Sequence, residues 1–531
     1  MVYDYFGRPS ERSNPHDVSG SNEARTVFTY SYTPEWTVTE TTRGRWVRKT
    51  YDGVGRLKKE ERGEGGDTKS VVERAYLVCA CSAVGKLWQV TQAHSGGVLQ
   101  TTYSYDALGR VVAVTQPGGA TTYSYAGNVT TVTDPAGRWK SYTHDVFGRL
   151  VQVTEPNPGG GNPFQTYYAY NHFDQLTQVT MPRPTGTQVR TFNYNTTTGL
   201  LTSAANPENG TVSYTYNANN LVSSKTDAKG QRVDYTYDTF NRVVQVRRYL
   251  AGGAEDAAQR TNYYYDGNPF GASEFTAGRL GAVEYWVNAG ARQVRESYGY
   301  TVAGRVKWKR LDFGGPNVLE GRWTYDNEGW VKSVTYPLGN PAAPDFQNTY
   351  NTQGQLSGMT RQDGQPVAWG AAYGAAGEMT ALTYGLGQDD MGNPGPYYTE
   401  TRQYNARLQL TKQTSVGRIY AWQELSKVEL EYGNSSTNND GRITYLKDWV
   451  LNEQRGYSYD ALGRLTGASI PGAPQTFGYD GFGNLTSKNG TTIPVDPATN
   501  RLVGVSYDAN GNETVGGSER RGQDGSARRG H

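Results

Sequence analysis

Residues 105–119 read YDALGRVVAVTQPGG, and residues 459–472 return as YDALGRLTGASIPG. In both places one six-residue pattern is followed by a short apolar run and a Pro-Gly turn. Outward from the first copy, residues 101–115 are TTYSYDALGRVVAVT. Tyr103 and Tyr105 alternate with small polar residues before the motif, and Val112 and Val114 alternate after it. A period of two on both flanks predicts two strands. Between them Asp106 can cap its own turn through its side chain, and Gly109 stands where a hairpin loop of three to four residues needs positive φ. Arg110 opens the returning strand, where its long stem can lie over a neighbouring ring. The unit is a β-hairpin.

The pattern Tyr-Asp-x-x-Gly-Arg/Asn occurs in full six times. Its members are Tyr3, Asp4, Gly7 and Arg8; Tyr51, Asp52, Gly55 and Arg56; Tyr105, Asp106, Gly109 and Arg110; Tyr459, Asp460, Gly463 and Arg464; Tyr479, Asp480, Gly483 and Asn484; and Tyr507, Asp508, Gly511 and Asn512. Degraded copies fill the gaps, among them TDPAGR at 133, HDVFGR at 144, TDAKGQ at 226, YDTFNR at 237, YTVAGR at 300, YDNEGW at 325, YNTQGQ at 350 and YGAAGE at 373. Asn241 replaces Gly in YDTFNR, as a left-handed position allows. Tyrosines 459 and 479, 216 and 237, or 325 and 350 are separated by roughly twenty to twenty-five residues, a period sustained almost end to end, which defines a repeat architecture. Tyr-x-Tyr pairs such as 103/105, 235/237 and 457/459 place an aromatic ladder on one sheet face. Tyrosine suits a face that is stacked sideways and only partly dry. On the order of 40 short strands in one sheet cannot stay flat, because neighbours twist by ~20–25°. The sheet is expected to coil.

Composition agrees. The chain has 531 residues, with Gly at 66 and Tyr at 41, and few helix formers, which argues for an all-β protein. Basic and acidic residues number 52 and 50, a net charge of +2. The tail SERRGQDGSARR, with four Arg against Glu519 and Asp524, accounts for that excess, so the body is neutral and announces no nucleic-acid partner. No apolar stretch approaches the ~18 residues of a membrane helix, and MVYDYFGRPSER lacks the apolar core of a signal peptide. Cys79 and Cys81 are too few for a structural zinc site. A disulfide or a weak metal contact between them is weighed against a packed pair of small apolar side chains, and the packed pair is the reading adopted.

These units, their period and the aromatic pairs resemble the YD repeats of bacterial Rhs proteins, related to the shell of the insecticidal Tc toxin C component and of teneurins. The resemblance spans residues 3 to 515 and is strengthened by TVTDPAGRWKSYTHDVFGRLVQVTEP at 131–156 and NRLVGVSYDANGN at 500–512. It implies a long antiparallel sheet of tandem hairpins spiralling into an open or partial hollow shell. It further implies a secreted or cell-surface setting in a polymorphic toxin system, an enclosed C-terminal toxin polypeptide or the remaining Rhs core as partner, and contacts with a secretion apparatus or cell surface. In that family a core with paired Asp-Pro-x-Gly motifs usually ends the shell and cleaves itself. Here the sole Asp-Pro-x-Gly, Asp134 to Gly137, lies in register with the YD turns and is read as a turn. Asp496-Pro497 continues without the glycine.

No other catalytic constellation appears. His16, His94, His144, His172 and His531 have no metal-ligand spacing, and no G-x-S-x-G, Walker loop or H-E-x-x-H occurs. His144-Asp145 is read as part of the turn HDVFGR. The motif aspartates offer one carboxylate per turn, whereas a calcium loop concentrates several. Neither an enzyme, a metal nor a cofactor is expected. Sequons at Asn128 and Asn484 carry little weight in a chain rich in Asn and Thr. The alternative to a shell is an adhesion module whose aromatics, for example Trp286, Trp308 and Trp330, stack on a carbohydrate or a partner protein. Residues 1–515 are expected to be repeats that start and end in mid-repeat, as in a fragment with open strand edges prone to self-association. Residues 516–531 are expected to be a disordered tail.

Overall fold

The computed structural model describes residues 1–13, 25–79, 81–287, 292–315, 318–336, 345–385, 398–418, 422–433 and 437–514. The expected tail, His16 and His531 lie outside them. Among the described residues the elements are strands, apart from one 3-10 turn at Ala257–Gln259. Forty-one strands are linked in one sheet, and two short ones, Val495–Asp496 and Arg501–Leu502, pair separately. Along most of the chain consecutive strands pair antiparallel, as Gly97–Tyr105 does with Val111–Gln116 and that strand with Gly119–Ala126. The expected all-β fold of tandem hairpins is therefore present.

The chain divides into two compact units, residues 1–141 with 262–475 and residues 142–261 with 476–531. Neither holds a large oily core. In the first unit the described apolar side chains that are buried are Ala282, Val283, Val294, Trp308 and Ala468, and in the second Val153, Phe164 and Val246. Buried polar groups are as prominent, with Gln188 only 1% exposed. The sheet faces are mostly half-buried, as a tyrosine ladder leaves them.

The hairpin loop follows from its sequence. Gly109 N–H donates to Asp106 O at 2.9 Å, and Asp106 N–H donates to Arg110 O at 3.0 Å. Gly109 has φ 77°. This is a three-residue loop built on a type I turn and closed by a left-handed residue, which leaves a bulge on one strand. The pairing shows that bulge: Tyr105 opposes Val111, while Ser104 opposes Ala113. Asn241, at φ 63°, takes the glycine place as expected.

Two expectations are corrected. Cys79 and Cys81 form a disulfide rather than a packed pair of thiols. Cys79 ends its strand opposite Ser82, so Cys81 lies in the hairpin turn. The turn brings the two Cα atoms to 5.1 Å, within disulfide reach. Trp308 is 9% exposed and its indole N–H donates to Glu274 Oε2 at 2.9 Å, so it offers no platform for a sugar. Trp286 is half-buried. Trp330 lies between the Tyr350 ring at 5.1 Å and the Arg45 guanidinium at 4.8 Å.

Candidate functional site: the YD turn and its latches

Each part of the motif has a job that the structure makes visible. Asp106 Oδ1 accepts from the amides of Leu108 (3.0 Å) and Arg110 (2.9 Å), and Oδ2 accepts from Arg110 Nε at 2.7 Å. The aspartate thus caps its turn and anchors its own arginine. The Arg110 amide, with its guanidinium in support, holds the Asp106 carboxyl below the usual carboxylate range despite the opposing cost of desolvation. In the Asn variants the charge is dispensed with: Asn484 Nδ2 donates to Asp480 Oδ2 at 2.8 Å. Tyr3, at the first copy, stands on the short strand Val2–Tyr3 paired with Pro9–Ser13.

The motif tyrosine joins one repeat to the one before. Tyr105 Oη donates to Leu87 O at 2.7 Å, Tyr125 to Val111 O at 2.8 Å, Tyr170 to Leu150 O at 2.9 Å and Tyr459 to Ile443 O at 2.7 Å. In each case the acceptor is the residue just after the turn's fifth position. The cation of the earlier turn covers the same ring: Arg56 lies 4.2 Å from the Tyr76 centroid and Arg110 4.2 Å from that of Tyr125. A hydroxyl bond and a cation–π contact therefore recur at this joint. Burial pushes the Tyr105 phenol above its ordinary value.

The same joint identifies copies that sequence reading passed over. Tyr76 donates to Leu57 O, and Lys86, in the arginine place, lies 5.3 Å from the Tyr105 ring. The turn between them is enlarged by the Cys79–Cys81 tip, which hides the pattern; the signal was Gly85-Lys86-Leu87. YNANNL at 216–221 keeps the turn with Asn217 Oδ1 accepting from the amides of Asn219 and Leu221.

A second set of contacts latches turns far apart in sequence. In the first unit Ser95 N–H donates to Glu378 Oε1 at 2.6 Å, the His94 ring bonds Ala406 O at 3.3 Å, and Asn439 N–H donates to Gly118 O at 2.8 Å. Arg138 pairs with Asp440, which also takes Arg442 at 2.6 Å, and Arg138 Nε donates to Asp460 O at 3.0 Å. In the second unit Arg183 Nε donates to Gly481 O at 2.8 Å, Gln188 Nε2 to Asn500 Oδ1 at 2.6 Å, and Asn510 Nδ2 to Asp227 Oδ2 at 2.7 Å. These latches were not legible in the sequence.

The residues weighed for chemistry are turn residues. Gly137 N–H donates to Asp134 O at 3.0 Å, and Arg138 N–H to Asp134 Oδ1 at 2.8 Å. Asp145 holds the amides of Phe147 and Arg149 and the Arg149 side chain. Asp496 accepts from Ala498 N–H at 3.0 Å. Among the described residues no three His, Cys, Asp or Glu gather as metal ligands, and no helix is long and apolar enough to cross a membrane.

Comparison with known proteins places this architecture. The Teneurin YD-shell family profile matches residues 158–407, and the RHS Repeat profile matches 82–121 and 123–159. No individually curated protein matches the chain. Solved structures with the same fold include TcdB2-TccC3, at 15% identity over 92% of this chain and 29% of that one with a TM-score of 0.70. TcdB2-TccC3-TEV matches at 15% identity over 97% of this chain and 29% of that one, TM-score 0.68. The Tc holotoxin pore of Photorhabdus luminescens matches at 15% identity over 92% and 28%, TM-score 0.67. The chain spans less than a third of the length of these neighbours. Repeat profiles across residues 82–407, hairpin geometry and fold agree that the chain carries Rhs-type YD repeats.

Proposed function

We propose that this chain is wall material of a shell that encloses a toxin polypeptide and helps deliver it, with no catalysis of its own. The observation that carries the reading is the tandem-hairpin sheet, 15% identical to TcdB2-TccC3 over 92% of this chain with a TM-score of 0.70. The joints and latches support it. They spend the motif's Tyr, Asp and Arg on holding strands and turns together, which leaves the turn carboxylates occupied and unsuited to acid–base work. A secreted or cell-surface setting, and repeats running through residue 515, belong to the same proposal.

The test is protection of cargo. A protease-sensitive reporter polypeptide fused after His531 is expected to be digested more slowly than the free reporter, and to lose that advantage in urea. Equal digestion rates in the native fusion and the free reporter would refute the enclosing role. Long incubation of the same fusion is expected to leave one intact band, and cleavage abolished by changing Asp134 would refute the non-catalytic part.

A further inference from the structure

The hexapeptide YDALGR stands twice in the first unit, and its two copies are covered to different degrees. At 459–464 the turn is latched: Arg138 Nε donates to Asp460 O at 3.0 Å, the side chains of Asp460 and Arg464 are 8% and 19% exposed, and Leu462 is half-buried. At 105–110 the same six residues leave Asp106 and Arg110 23% and 42% exposed, and Leu108 77%. Identical sequence excludes a local cause, so the difference shows what a neighbouring turn covers.

The latches of this unit follow one rule. Antiparallel hairpins place successive turns on alternate edges of a sheet. The edge of residues 262–475 that carries the turns of Glu378, Asp440 and Asp460 meets the edge of residues 1–141 that carries the turns of Ser95, Gly118 and Arg138. Among the described residues, the other edge of each run takes no part in these latches. On residues 1–141 that edge is continuous: Arg56 Nη1 donates to Gly85 O at 3.1 Å and Lys86 Nζ to Gly109 O at 2.7 Å. Val54, Val84 and Leu108 therefore stand in a row on three adjoining turns, each more than half exposed. On residues 262–475 the corresponding edge carries the turn Asp448–Glu453, where Asp448 Oδ1 accepts from the amides of Val450 and Leu451 at 3.0 Å. That turn presents Trp449, Val450 and Leu451 to solvent, Leu451 at 66%.

We infer that these two edges join copies of this chain head to tail, the Trp449–Leu451 turn of one copy seating on Val54, Val84 and Leu108 of the next. The occupant is a second copy because the chain itself carries both halves of a contact that already holds its own turns together. Contiguous exposed apolar side chains on both halves supply the driving force. The contact is heterologous, since each copy contributes a different edge, so the assembly does not close at two. It runs through side chains at turn tips and leaves the unpaired backbone of the strand ends unused. The inference does not rest on the enclosing role: a chain that protects no cargo would still associate in this way.

The test is sedimentation velocity of the whole chain, which is expected to pass from monomer to dimer and beyond as its concentration rises. Two double variants, Val54→Glu with Leu108→Glu and Val450→Glu with Leu451→Glu, should each weaken association by about tenfold or more, because each sets unpaired carboxylates into the contact. All four positions are exposed, so both variants are expected to fold, and near-ultraviolet circular dichroism checks it. An equimolar mixture of the two is expected to form dimers and nothing larger, because one intact pair of edges remains between them. A chain that stays monomeric at every concentration would overturn the inference. Association untouched by either double variant would also overturn it and point to pairing of open strand ends. Loss in only one of the two variants, or a mixture that stays monomeric, would refute the head-to-tail contact as well.

Discussion

Replacing Asp440 by alanine tests whether the latches matter as much as the turns. The Asp440 side chain is 5% exposed and is shared by Arg138, 20% exposed, and Arg442, 34% exposed. Its removal leaves two guanidinium groups facing one remaining carboxylate, Asp134, at 3.7 and 4.0 Å. Breaking a buried ion pair from one side costs ~3–5 kcal/mol, and the partial exposure of both arginines discounts this to about 2–3 kcal/mol here. Local opening of the latch should then become roughly 30- to 150-fold more frequent. Hydrogen exchange of peptides covering 134–138 and 437–442 reads it directly, without assuming that two units unfold as one. The comparison is Asp106→Ala, which removes two turn-capping bonds and an exposed ion pair and should loosen only residues 105–111. If Asp440→Ala leaves peptide 134–138 as protected as before, 302 positions away, the latch is not holding the turns and the reasoning fails.

Other outcomes follow from the same geometry. Gly109→Val should destabilise its hairpin by ~1–3 kcal/mol because of its φ of 77°, whereas Leu108→Ala, at a site 77% exposed, should change little; equal effects in pulse proteolysis would contradict the turn assignment. Tyr105→Phe removes the bond to Leu87 O and should cost ~0.5–1.5 kcal/mol, while Tyr103→Phe should be close to neutral in the same assay. The Arg8 side chain depresses the Asp4 carboxyl and the Arg110 amide depresses that of Asp106. At Asp508, desolvation is outweighed by the Asn512 amide, its side chain and Lys229, giving about 2. A depressed folded value stabilises above the unfolded carboxyl range near pH 4 and is lost as pH falls through the folded value. Tyrosine fluorescence should therefore hold steady from pH 7 to pH 5 and report loosening below about pH 4, with less acid sensitivity around the turn in Asp106→Asn; an unchanged profile in that variant would count against the assignment.

What the sequence disclosed and what it hid divide along the range of the forces involved. The turn at Asp106–Arg110 was legible because cap, left-handed glycine and flanking alternation all lie within about ten residues. The same logic reached Asn241, but not the copies in which Leu408 and Asp174 take the left-handed place at φ 61° and 62°. Leu408 does not advertise that conformation, whereas Asp174 tolerates it as Asn does, and each is held there by a turn that Asn405 and Asn171 cap. Cys79 and Cys81 were misread because strand spacing was assumed where the chain was already turning. Trp308 and Trp422 are alike as letters, yet Glu274 covers one and the other is 52% exposed. The latches were the least legible of all. Which carboxylate meets Arg138 depends on the twist summed over every intervening strand, and twist varies from about 10° to 35° between neighbours. A small change in each step moves the meeting point by a whole turn, so the pairing of Arg138 with Asp440 is fixed by the accumulated geometry of the sheet and by no local pattern. The repeat can therefore tolerate Asn for Asp or Lys for Arg at its turns, where each copy is self-contained, while substitutions at the latches alter contacts that no neighbouring repeat can replace.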